Sequence, residues 1–115
     1  MTRQDLAPGY QVVQTAHAMA DFGIQYPREF QQWHSSSNYL ACLSVKDEQS
    51  LQSLASKLLG EGIKHIAFRE SDLGNQITAI AIEPSERTRK ICSSFPLALK
   101  EGSGLNKHSN IKQYE

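Results

Sequence analysis

The sequence predicts one α/β domain, a mixed β-sheet flanked by helices. Three observations carry that class. Tyr39–Val45 and Ile77–Ile82 are nearly continuous apolar runs, the pattern of strands covered on both faces. Between them Leu51, Leu54, Ala55, Leu58 and Leu59 recur at helical spacing. A chain of 115 residues can enclose one core but not two. Strand and helix signals alternate along it, which is the α/β pattern.

Taken in order, Met1–Leu6 holds Arg3, Gln4 and Asp5, weak strand formers, and supports at most a strand stub. Pro8 suits the first turn of a helix, where its missing N–H is no loss, and that helix runs to about Gly23. Pro27 opens a short second helix over Arg28–Trp33, followed by a polar loop from Ser35 to Asn38. The strand Tyr39–Val45 comes next. Asp47 is placed to cap the Leu51–Leu59 helix, and Gly60 and Gly62 end it. Ile63–Phe68 is a third strand, Glu70–Gln76 a polar loop and Ile77–Ile82 a fourth strand. Pro84 and Ser85 begin a last helix, Glu86–Ser93, with Ile91 and Cys92 facing inward. The domain therefore spans 1–99, and the Lys, Gly, Ser and Asn of 100–115 form a flexible tail.

The formal charge is zero, so no global field advertises a polyanionic partner. No run approaches the roughly 20 apolar residues of a membrane span, and the N-terminus resembles no signal peptide, which points to the cytoplasm and away from a membrane. Cys42 and Cys92 lack CxxC spacing and read as two buried, reduced thiols. His34, His65 and His108 have no ligand partner close in sequence, so neither a metal nor another cofactor is expected.

The first helix has two unlike faces. Tyr10, Gln14, His17 and Asp21 fall on one narrow stripe at about 100° per residue. Val12, Val13, Ala16, Met19, Ala20 and Gly23 lie opposite and are expected to pack on the sheet. The polar stripe is either a solvated face or the wall of a site. In the 70–78 segment, Asp72 is suited to orient a water and Thr78 to donate a hydroxyl hydrogen. Each also has a plain structural reading, as a turn residue and a β-branched strand residue. There is no phosphate-binding glycine loop and no nucleophile elbow.

Two motifs gather these residues. Arg3-Gln4-Asp5-Leu6, Pro8-Gly9 and Val13-Gln14-Thr15-Ala16-His17-Ala18 resemble the opening signature of the type II peptidyl-tRNA hydrolase family. Phe68-Arg69-Glu70-Ser71-Asp72-Leu73, with Thr78-Ala79-Ile80-Ala81 and Pro84, is similar to the second signature of its bacterial and phage-like branch. The resemblance covers about residues 3–99.

It implies a four-stranded mixed sheet, often a homodimer, and metal-independent hydrolysis of the ester joining a peptide to tRNA. Gln14, His17, Asp72 and Thr78 match the family's catalytic positions, and Arg3, Tyr10 and Gln11 are assigned to substrate binding. Asp72, with His17, would orient the water, while Gln14 and Thr78 would meet the oxyanion or the substrate amide. Two departures stand out. Tyr10 occupies the place of a lysine in the better-studied members, which removes a fixed cation near the developing oxyanion. The opening strand is short, which implies a shortened sheet edge or a start placed downstream of the natural one. The rival reading is a non-catalytic member that binds tRNA or a protein through the same cleft, and it gains if Tyr10 faces away from Asp72 and Thr78.

Overall fold

β1 is two residues long, Thr2–Arg3, yet it lies inside the sheet. The computed structural model describes residues 1–100, so the expected tail, Lys100 apart, lies outside the described residues. The other elements are α1 (Pro8–Gln25), α2 (Pro27–Ser35), β2 (Ser44–Val45), α3 (Glu48–Gly60), β3 (His65–Glu70), β4 (Gln76–Ile82) and α4 (Glu86–Cys92). Strand order is β2-β1-β4-β3. β1 runs parallel to β2 and antiparallel to β4, and β3 runs antiparallel to β4, so the sheet is four-stranded and mixed as expected.

Of the two readings of the short opening strand, a shortened sheet edge does not hold: β1 is interior, between β2 and β4. Its pairing is extended by other groups. Met1 exchanges hydrogen bonds with Ile80, and Arg3 Nη1 donates to the Ile77 carbonyl where the strand turns away. The Ile77 N–H is taken by the Glu48 carboxylate from the start of α3, at 3.0 Å. Side chains thus finish a ladder that two residues of backbone begin.

α3 covers one face. Asp47 caps it as expected, accepting from the Ser50 N–H at 3.0 Å. Leu51, Leu54 and Leu58 pack with Val45, Ile63, Ile77 and Ile80 into the main core. α1 lies on the other face, against β4 and β3.

Three expectations are corrected. The strand Tyr39–Val45 shrinks to Ser44–Val45, because β1 pairs only those two residues and offers no backbone to Tyr39–Ala41. Tyr39 and Leu40 are exposed, and the far side of this segment is closed by the C-terminal residues, with Ser44 N–H donating to Pro96 and Ala98 N–H to Cys42. Cys42 is consequently exposed, not buried; Cys92 is buried, and both are free thiols. The third correction concerns α1. Its buried residues are Gln11, Gln14, Ala18 and Phe22, while Val12 and Val13 of the supposed core face stand about half exposed. Apolar periodicity picks the wrong side because polar partners wait there: Thr78 and Glu70 of the sheet for Gln14, and the Leu6 carbonyl of the preceding loop for Gln11.

Candidate active site

Ile77 and Ile80 both belong to the core under α3, although they are three residues apart. Strict alternation would send them to opposite faces. The register explains it. Ala79 opposes Phe68 and Ile77 opposes Arg69, so Thr78 is an extra residue, a β-bulge. The bulge turns the Thr78 side chain towards α1.

There Thr78 Oγ1 donates to Gln14 Oε1 at 2.5 Å, and Gln14 Nε2 donates to Glu70 Oε1 at 3.0 Å. Thr78 and Gln14 are wholly buried, so the hydroxyl and the carboxylate together fix which end of the amide is which. The other Glu70 oxygen accepts from the Asp72 N–H at 3.3 Å and caps the 3-10 turn Ser71–Leu73. Gly74 and Asn75 close that turn in the left-handed region, φ 60° and 62°, and return the chain into β4.

Beside Glu70 stand two more groups, Tyr10 and His17. The Tyr10 hydroxyl faces its carboxylate; partial burial first, then the Glu70 charge, push the phenol above its ordinary range. His17 lies flat on Phe68, ring centroids 4.9 Å apart at 11° between planes. The Gln14 amide, then the Asp72 N–H, hold the Glu70 carboxyl below the usual glutamate range, helped by Tyr10 and by His17.

The structure therefore brings Tyr10, Gln14 and Thr78 together, with His17 beside them and Asp72 on the adjoining turn. The Asp72 carboxylate is exposed and makes no hydrogen bond among the described residues. Arg3 and Gln11 are engaged elsewhere. Arg3 holds Asp5 through Nε at 2.9 Å and Nη2 at 2.8 Å, and Gln76 through Nη1 at 2.8 Å. Gln11 Nε2 donates to the Leu6 carbonyl at 2.7 Å. Both residues are buried, so neither offers a free donor to a ligand in this arrangement.

Glu70 is the residue that sequence reasoning missed. Its signal was present: counting by two from Phe68 puts Glu70 on the face that receives α1. What the cluster can do is handle a proton, with a fixed carboxylate, an imidazole and a phenol in one place. Among the described residues no three His, Cys, Asp or Glu side chains gather closely enough to hold a metal ion. A cleft of about 680 Å³ lies on the other flank of α1, walled by apolar side chains including Val12, Ala16, Met19, Trp33 and Leu40, and it contains none of the site residues.

Residues 2–98 match the family model described as Peptidyl-tRNA hydrolase PTH2. No curated protein matches the chain.

Proposed function

The chain belongs to the peptidyl-tRNA hydrolase PTH2 family, and on that premise we propose that it hydrolyses the ester joining a peptide, or an N-blocked amino acid, to tRNA without a metal ion. One observation supports this most: the two sequence motifs meet at a single polar cluster, in which Thr78, Gln14 and Glu70 are hydrogen-bonded in series. An aminoacyl ester is already activated. Holding a water near its carbonyl carbon and stabilising the oxyanion is enough, and no covalent nucleophile is needed.

In this reading Asp72, with His17, orients the water. Gln14, wholly buried and bonded at both ends of its amide, holds Glu70 in place and does not itself meet the oxyanion. Thr78 works through Gln14 instead of meeting the oxyanion directly, since its buried hydroxyl already donates its hydrogen there. Tyr10 offers a hydroxyl where relatives of the better-studied kind carry lysine. Its facing Glu70, with the Asp72 charge also felt at the phenol, favours a working site over a mere binding cleft. The same reading places the protein in the bacterial and phage-like branch and in the cytoplasm, where its tRNA substrate is made. Self-association as a homodimer is supported by exposed Val12 and Val13 on α1.

The test is ester cleavage of N-blocked aminoacyl-tRNA, with and without a chelator. The wild-type chain should turn over in both conditions. Asp72→Asn should lower kcat by about 10²-fold with little change in KM, the loss expected when a reacting group is misplaced. No turnover in the wild type or in Tyr10→Lys would favour a tRNA- or protein-binding module.

A further inference from the structure

We propose that Glu70 is a catalytic residue of this site, the carboxylate that takes the proton from the attacking water; the inference rests on the ester-hydrolase reading above. A capping role accounts for only half of the geometry. The turn Ser71–Leu73 is satisfied by one Glu70 oxygen, at the Asp72 N–H. The other oxygen reaches across to α1, 56 residues away in sequence, and meets an amide that is itself locked by Thr78. A base must stay in place while the proton moves, and these contacts pin both oxygens of Glu70. The nearby Asp72 carboxylate has no such support and lies on the exposed turn.

A carboxylate has about four acceptor positions. Gln14 and the Asp72 N–H fill two, and the Tyr10 hydroxyl faces a third. One remains for a water hydrogen. In the step, the water oxygen bonds to the ester carbonyl carbon as its proton passes to Glu70. The carbonyl electrons move onto the oxyanion. They return as the bond to the ribose oxygen breaks, and that oxygen takes the proton from Glu70. The products are a free carboxylic acid and a ribose hydroxyl, the sum of ester and water.

The titratable groups facing Glu70 are Tyr10 and His17 from α1 and Asp72 from the turn; β4 brings Thr78 and Gln76, which do not titrate. The donors on Glu70 hold its carboxyl below the ordinary range, so it stays ionised and ready well into acid.

Steady-state cleavage of N-blocked aminoacyl-tRNA over a range of pH tests this, with the Tm of each variant measured alongside. Wild-type kcat should fall only on the acid side, through a pKa below that of a free glutamate. Glu70→Gln keeps an acceptor for Gln14 and should fold; its kcat should drop about 10²–10⁴-fold, its KM should hold, and the acid limb should vanish. Glu70→Asp, which keeps the charge but withdraws it by one methylene, should lose about tenfold or more. Unchanged kcat in either variant, or an acid limb that survives Glu70→Gln and disappears in Asp72→Asn, would overturn the role of Glu70 while leaving the hydrolase reading intact. A wild-type chain without turnover would overturn both.

Discussion

Replacing Thr78 by Val removes one hydrogen-bond donor and almost nothing else. The two side chains share a shape, Thr78 is wholly buried in a strand that favours β-branching, and no cavity opens. What changes is Gln14 Oε1, which has Thr78 Oγ1 as its partner at 2.5 Å and is sealed from water with the rest of a side chain 1% exposed. A buried acceptor left without its donor costs about 1–3 kcal/mol. For a domain of this size, 1 kcal/mol moves the melting temperature by roughly 4–8 °C. Thr78→Val should therefore melt roughly 5–20 °C below the wild type, read by circular dichroism at neutral pH. The fall should come without a change in the urea m-value, because the folded surface is the same. A variant within about 0.5 kcal/mol of wild type would refute the idea that Thr78 locks the Gln14 amide.

Two further outcomes test other parts of the structure. Arg3 donates to both oxygens of Asp5 and holds its carboxyl below the usual range, so this contribution is complete above the unfolded pKa of about 3.9 and is lost as pH falls through the lower folded value. The Asp5 side chain is 43% exposed, which screens the pair to about 1 kcal/mol or less. Asp5→Asn should then melt a few degrees lower at pH 7, and the gap should narrow as pH falls below the unfolded pKa; a gap that keeps its size in acid would mean that charge is not its cause. The thiols should differ in rate: exposed Cys42 should react with a thiol reagent in the native protein, and Cys92, buried and with its thiol pushed up by burial, only after unfolding. Equal rates in the native state would contradict the placement of the 39–43 segment.

The sequence alone determined the signals that depend on near neighbours. Asp47 is followed three residues later by a Ser50 N–H that needs a partner, so the start of α3 is legible in the chain. Leu51, Leu54 and Leu58 share a face by helical geometry, and they form the core as that spacing requires. The two motifs likewise carried the family, and their Gln14, His17, Asp72 and Thr78 come from the segments that the fold gathers around one polar cluster. Strand extent, helix rotation and the centre of the site were decided elsewhere. Tyr39–Val45 has the composition of a buried strand, but a strand needs a second backbone, and β1 supplies one only for Ser44 and Val45. α1 was expected to turn its valines inward; it buries Gln11 and Gln14, because the Leu6 carbonyl takes the Gln11 NH2 and the Thr78–Glu70 pair engages both ends of the Gln14 amide. The bulge at Thr78 depends on a register between β3 and β4 that no local pattern encodes. Glu70 joins the cluster for the same reason: burying the Gln14 amide is unfavourable unless it is hydrogen-bonded, and its partners come from segments more than fifty residues away.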